Sequence, residues 1–308
     1  MTAPTQNAEW LAWRNKGLGA SDIAAAFTRS YGNTPRSIVA KKLGIGPEHE
    51  PTAAMQAGHD WEARIAQAVE ALTGFTVAGE QTWLANTEHP WMRATVDGFL
   101  LGHPDDTIDD AAGLLEIKTT TRPNWEYYAA QVQWQMAVAR IHRAVVAVLD
   151  LTDEAQTHDV GNDLVAVERC GRLSLWEHTA DRQLQARLHE FGAELWAHVQ
   201  AGTLPEIEAD DYDAIKAENP DATDATAVDL SHLDDVATGY VRTKAALKAA
   251  KAALKAATSE EKRLAAILTD AIGEHETANV HGVPWFTRKA NTKGNRSLLT
   301  TKEAKASC

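Results

Sequence analysis

The octapeptide GLLEIKTT, Gly113 to Thr120, sets a carboxylate and an ammonium two residues apart in an otherwise apolar, β-branched run. A strand repeats every two residues, so Glu116 and Lys118 share one face while Leu115, Ile117 and Thr119 take the other. Alone, the pair fits a polar strand face or a cross-strand ion pair. With more carboxylates nearby it fits another chemistry, in which an acid ligates a divalent cation and a lysine orients or deprotonates a water. Two acids upstream are candidates. Glu62 falls on the stripe of a helical repeat with Ile65, Ala66, Val69 and Leu72, where a charge is costly unless it is paired or binds a cation. An acid in a first helical turn also suits the helix dipole, so both readings stay open. Asp97 shares a strand face with Thr95 and Phe99 and can point where Glu116 points if the two strands pair.

Positioning these residues calls for an α/β frame. Short helices are expected over Glu9–Arg14 and Ser21–Phe27, the second capped by Ser21 or Asp22 after a flexible Gly17-Leu18-Gly19. A helix over His59–Thr73 stops at Gly74. Strands are expected at Phe75–Leu84, Trp91–Leu100 and Gly113–Thr119, the last two joined as a long hairpin by the turn-rich HPDDTIDDAAG. A helix over Asn124–Arg140 follows, with Tyr128, Gln131 and Gln135 on one face. Strands at Ala144–Leu149 and Leu164–Glu168 and an amphipathic helix at Ala180–Gln200 complete the series. The order predicts an α/β fold with a mixed central sheet flanked by helices.

Composition bounds the alternatives. No apolar run approaches the roughly 18 residues of a membrane span, and MTAPTQNAEW lacks the pattern of a signal peptide, so a cytoplasmic protein is expected. Cys170 and Cys308 are too few for a disulfide framework, a Cys-rich zinc site or an iron–sulfur cluster. The formal charge of −13 argues at first against nucleic acid. Its distribution reverses that, because Glu206 to Asp235 holds eleven acids and one lysine, net −10, and leaves −3 for everything else. The segment 206–235 is expected to be an acidic linker between a domain over 1–205 and an Ala/Lys-rich helical hairpin over 236–274. Leu247 and Leu254 lie seven apart, and Thr258-Ser-Glu-Glu261 has the form of a capping box, so the hairpin should break near Thr258. A small β-hairpin around His281-Gly282 and a basic tail fill 275–308.

Taken together, the Glu62, Asp97 and Glu116-Ile-Lys118 series resembles the PD-(D/E)XK nucleases, and more narrowly the YqaJ-like viral recombinases that include lambda exonuclease. Further matches are WRNKGLGASDIAAAF (Trp13–Phe27), Gly58-His-Asp-Trp-Glu62, Asp97-Gly98 and Tyr128-Ala-Ala-Gln131-Val-Gln133, and the resemblance covers roughly residues 9 to 205. It implies a restriction-endonuclease-like core in which Glu62, Asp97, Glu116 and the Ile117 carbonyl bind one or two Mg²⁺, with Mn²⁺ as a substitute. By the same resemblance Lys118 acts on the attacking water, Gln131 contacts the site, and Arg14 and Ser21 receive a 5′-terminal phosphate, with Tyr128 and Gln133 near the DNA. His59, three residues before Glu62, is expected to be a bystander. The implied activity is 5′-to-3′ digestion of duplex DNA ends, leaving 3′ strands for a phage-type annealing recombinase, with a ring-shaped homotrimer as the family's assembly. Rivals are an endonuclease or single-strand nuclease of the same fold, and a non-catalytic DNA-binding scaffold.

Overall fold

The computed structural model describes residues 8–45, 53–151, 171–218, 227–288 and 297–306. Two compact units divide the chain, Met1–Ala222 and Thr223–Cys308.

The first unit is built on a five-stranded mixed sheet of order β1-β4-β5-β6-β7, formed by β1 (Thr76–Ala78), β4 (Gly98–Leu101), β5 (Gly113–Thr120), β6 (Arg143–Leu151) and β7 (Gly171–Thr179). Only β5 and β6 run parallel. The crossover between them is α5 (Trp125–Ala139), as a parallel connection requires. Side chains sort by parity: Leu115, Ile117, Val145, Ala147 and Leu149 pack one face against Trp61, Ile65 and Val69 of α4 (Ala53–Thr73). Leu114, Ala144, Val146 and Val148 pack the other against α5, α2 (Ala20–Phe27) and α6 (Arg182–Ala201). This is the α/β core expected from the sequence.

Where the structure departs from expectation, backbone geometry explains it. The strand expected over Phe75–Leu84 is split by Gly79 and Gln81, both at positive φ (65° and 54°). β1 joins the main sheet and β2 (Thr82–Ala85) pairs with β3 (Arg93–Val96) in a separate two-stranded ribbon. Trp91–Leu100 is split likewise, with Asp97 at the junction of β3 and β4. Gly17-Leu18-Gly19 is pinned rather than flexible: the Leu18 N–H donates to the Trp91 carbonyl at 2.8 Å, and the Leu18 carbonyl accepts from Arg93 at 3.0 Å. A Cβ on Gly17 would fall 2.2 Å from the Trp91 oxygen, which is why glycine stands there. Leu72, expected on the buried stripe of α4, is half-exposed at 52%, and the inner stripe is Trp61, Ile65, Ala66 and Val69. The α2 cap is Gly19, with Asp22 at the third helical position accepting the Gly19 N–H at 3.1 Å.

Other elements carry no counterpart in the sequence expectations. Helix α3 (Pro35–Lys42) is capped by Thr34, whose hydroxyl accepts from the Ser37 N–H at 3.0 Å. Strand β7 forms the sheet edge, while the expected strand at Leu164–Glu168 lies outside the described residues. The start of the acidic segment is docked, not a linker. Asp211 is buried and accepts from the Thr34 hydroxyl, Glu208 pairs with Arg29 at 2.6 Å, and α7 (Tyr212–Glu218) follows.

In the second unit the expected hairpin is one continuous helix, α8 (Asp234–Ile272). Ala256-Ala257 before Thr258, the helix formers Glu260 to Leu264 after it, and no glycine or proline there make propagation cheaper than a break, so the capping-box residues stay helical. β8 (Thr277–Val280) and β9 (Val283–Thr287) form the expected hairpin around His281-Gly282, and β10 (Leu299–Thr300) extends it to three strands before the short α9 (Lys302–Ala306). No described helix is long and apolar enough to cross a membrane.

Gly17→Ala is expected to destabilise the protein by about 2 kcal/mol, because the new methyl meets rigid backbone. Gly102→Ala, whose Cβ would have its nearest neighbour at 3.5 Å, should change it by less than about 0.5 kcal/mol. Denaturant midpoints of the two variants check the contrast.

Candidate active site

Pairing of β4 with β5 ends at Gly98 opposite Leu115. Beyond it the Asp97 carboxylate takes over, accepting the Ile117 N–H at 2.7 Å. Glu116, one residue earlier on β5, projects to the α5 side and is only 2% exposed. A buried carboxylate needs several donors, and three side chains supply them. Gln131 and Gln135, one helical turn apart on α5, each donate to one Glu116 oxygen at 2.5 Å, and Lys118 pairs with it from two residues along the strand. Gln135 also donates to the Thr95 carbonyl at 3.0 Å, fixing β3 beside β5. Glu62 arrives from α4, and the Gln81 amide donates to both Glu62 and Asp97 at 3.1 Å. Its position follows from the positive-φ turn before β2.

Glu62, Gln81, Asp97, Glu116, Lys118 and Gln131 line one cavity of about 180 Å³ that also includes Arg14, Ser21, Trp10 and Trp13. Burial, then repulsion from Glu116 and Glu62, pushes the Asp97 carboxyl well above the usual range, with Lys118 opposing. For Lys118 burial acts against the charged form, but Glu116, Tyr127 and Asp97 outweigh it and raise its pKa. The lysine is therefore held protonated.

The cavity's other wall rests on an ion cluster centred on Asp22, which is 3% exposed. Arg14 donates to one of its oxygens at 2.7 Å and Lys42 to the other at 2.8 Å. Lys42 donates also to the Arg14 carbonyl at 3.1 Å. Burial alone would raise the Asp22 pKa; Arg14 and Lys42, then Lys41, overcome it and hold the carboxyl far below the usual range. One Arg14 nitrogen lies 3.4 Å from the Ser21 hydroxyl, so the guanidinium and hydroxyl expected to act together are neighbours.

Glu62, Asp97, Glu116, Lys118, Gln131, Arg14 and Ser21 thus line a single cavity. Two expected residues lie elsewhere. Gln133 is 4% exposed and is consumed by α6 packing: it donates to the Thr179 carbonyl at 2.7 Å and accepts the Asp181 N–H at 2.9 Å. Tyr128 is 2% exposed, its ring edge-on to Tyr127 and Trp125, so it supports the surface rather than forming it. Ile117 contributes its N–H to Asp97. The His59 side chain lies outside the described set. Sequence reasoning missed Gln81 and Lys42 and gave Asp22 only a capping role; Thr34-Pro35 with Ser37, a capped helix start, was the signal for the helix carrying Lys42.

Whether a divalent cation fits can be judged from the donors. Among the described residues no three His, Cys, Asp or Glu side chains are close enough to encircle an ion. The chemistry nevertheless suits a hard cation: three carboxylates face one cavity, burial and then their repulsion raise the Asp97 pKa, and the buried Oε1 of Gln131, which lines the cavity, has no hydrogen-bond partner. Glu62, Asp97 and Glu116 are the residues that would hold it.

A mixed β-sheet enclosed by helices, with an acid-and-lysine cavity at the break in one strand, defines the class as a mixed α/β domain with a polar cavity at the sheet. Residues 9–142, less than half of the chain, match the YqaJ-like viral recombinase domain. The Bacillus subtilis (strain 168) protein YqaJ is 29% identical over 153 residues, 46% of each chain, so the match spans about half of that relative's length. Similar solved structures include the alkaline exonuclease LHK-Exo of Laribacter hongkongensis, with 21% identity, TM-score 0.46, and coverage of 70% of this chain and 100% of that one. Another is a phage related exonuclease of Haemophilus somnus 129PT, with 11% identity, TM-score 0.43, and coverage of 59% and 93%.

A carboxylate whose pKa is depressed in the folded state stabilises fully above its unfolded pKa and loses that contribution as pH falls toward the folded value. For Asp22 the window opens downward from the ordinary carboxyl value of 3.8. Asp22→Asn is expected to cost about 3 kcal/mol at pH 7, because two cations lose their common partner. The gap from wild type should hold constant above about pH 5 and shrink below pH 4, as urea unfolding across that range will test.

Proposed function

We propose that the protein is a metal-dependent exodeoxyribonuclease that digests duplex DNA from 5′ ends. The observation that carries this reading is the convergence of Glu62, Asp97, Glu116 and Lys118 on the cavity that also receives Arg14 and Ser21. The family match over residues 9–142 supports it.

Phosphodiester hydrolysis builds negative charge on the phosphorus oxygens and on the leaving oxygen. A bound Mg²⁺ or Mn²⁺ would supply Lewis-acid stabilisation of that charge. Lys118, held protonated by Glu116, suits a cationic donor that orients the attacking water and faces the developing charge better than a base that removes its proton. Gln131 and Gln135 fix the Glu116 carboxylate so that it need not reorganise during the reaction. Arg14, aimed by Asp22, offers its guanidinium fork and Ser21 its hydroxyl to a terminal phosphate, an arrangement that selects 5′-phosphorylated ends. The 3′ strand left behind would be the substrate of an annealing recombinase.

Glu116→Ala and Lys118→Ala should each lower hydrolysis of linear duplex DNA by about 10²-fold or more, and chelator should abolish it. Removing the 5′ phosphate should slow the wild type and leave Arg14→Ala unaffected. Cutting of a closed circle would replace the exonuclease reading with an endonuclease one, and activity retained by Glu116→Ala would overturn the site itself.

A further inference from the structure

A chain of ring contacts starts next to the catalytic cavity and ends on open surface. Tyr31 stands edge-on to Tyr127 at 5.1 Å, Tyr127 meets Tyr128 at 5.9 Å, Tyr128 meets Trp125 at 5.8 Å, and Trp125 meets Trp176 at 4.6 Å. The middle rings are buried supports, while Tyr31, Trp125 and Trp176 are 67%, 42% and 49% exposed. Tyr127 is close enough to the cavity to feel the charges of Lys118 and Glu116. At the far end, Trp176 on the edge strand β7 lies opposite Val146, and Val146 opposite Glu116, so all three project from the same sheet face. Trp176 is thus two strand spacings, about 10 Å, from the catalytic acid.

The near end is built to hold its ring outward. Arg29 and Tyr31 adopt left-handed conformations at φ 53° and 57°, costly for side chains with a Cβ. Asn33 braces the turn by donating to the Ser30 and Tyr31 carbonyls, at 3.1 and 3.3 Å. Asn124, the α5 cap, donates to the Ser30 hydroxyl at 2.9 Å and so fixes the turn to the helix that carries Tyr127. Strain maintained by this many bonds keeps Tyr31 over the ridge. Cationic groups flank the rings: Arg122 is exposed on the β5–α5 loop, and Arg172 is exposed on the Trp176 face of β7.

The geometry points to a binding track for single-stranded DNA, running from the cavity across Tyr31, Trp125 and Trp176, on which bases stack while arginines meet the backbone. Aromatic platforms bind single strands without sequence preference because every base has a π-face. The track rests on the nuclease reading for its substrate and goes beyond it in naming where the strand that is not hydrolysed leaves. Its continuity with the cavity favours DNA over a second copy of the chain as occupant.

Fluorescence anisotropy with labelled dT12 in EDTA tests the track without hydrolysis, so it can stand or fall independently of the nuclease reading. Trp125→Leu and Trp176→Leu should each weaken dT12 binding about fivefold or more, whereas Trp176→Phe, which keeps a ring, should stay within about threefold of wild type. Tyr31→Ala, at an exposed turn, should weaken it similarly to the leucine variants and guards against a folding defect in either of them. Unchanged dT12 affinity in the Trp125→Leu/Trp176→Leu double variant would overturn the track. If the double variant instead abolished a wild-type dimer in sedimentation at unchanged dT12 affinity, the face would belong to a second copy of the chain, and the proposal would fail.

Discussion

A carboxylate at 2% exposure has lost its water, and the interior must replace several kcal/mol of solvation with fixed donors. Glu116 imposes this on the whole first unit. Its two oxygens are met by Lys118 on its own strand and by Gln131 and Gln135 from α5, so the helix can sit over β5 in only one rotation and one translation. That placement turns Gln133 toward the opposite side, where it ties β7 and the start of α6 to the same helix. α5 is consequently buried nearly all round although it carries three glutamines. Their amides are the means by which one buried charge sets the register between helix and sheet.

A second buried carboxylate does the same for the opposite wall with the sign of the excess reversed. Around Asp22 two cations face one acid; around Glu116 and Lys118, Asp97 and Glu62 add two more acids. One small cavity is therefore bounded by a net positive wall at Arg14 and a net negative one at the strand break. Low-dielectric surroundings strengthen both fields. In the proposed reading, a phosphate drawn to the first wall would bring its neighbouring phosphodiester toward the second, where a cation would mediate between acids and anion. The polarity of the cavity, more than any single residue, accounts for the preference proposed for phosphorylated ends.

The sheet, the flanking helices and the convergence of Glu62, Asp97, Glu116 and Lys118 were legible because they follow from local periodicity and spacing. Strand parity put Glu116 and Lys118 on one face, and helical steps put Gln131 beside Gln135. The residues that escaped act through tertiary geometry. Gln81 reaches two acids only because positive φ at Gly79 and Gln81 splits a strand that alternates normally in sequence. Lys42 sits on a short helix of polar composition whose cap, Thr34 with Pro35, was its only local sign. Thr258 shows the opposite failure, a valid capping sequence overridden by flanking helix formers with no glycine or proline. Gln133 illustrates a limit of motif transfer: it lies two residues from Gln131, and in a helix two residues is the far side.

The break at Asp97 explains why the chemistry is where it is. Had β3 and β4 formed one strand, the Ile117 N–H would have been taken by backbone and the Asp97 side chain would have had no role in the sheet. Instead pairing stops at Gly98, and the carboxylate replaces the missing carbonyl, bonded at 2.7 Å by one oxygen while the other meets Gln81. Substituting a side chain for backbone brings a negative charge within reach of two other acids, at the cost recorded in its raised pKa. A fold optimised only for stability would close that gap with an ordinary strand residue. Keeping it open gathers three carboxylates at the end of a rigid ladder, and these are the groups proposed to hold a cation.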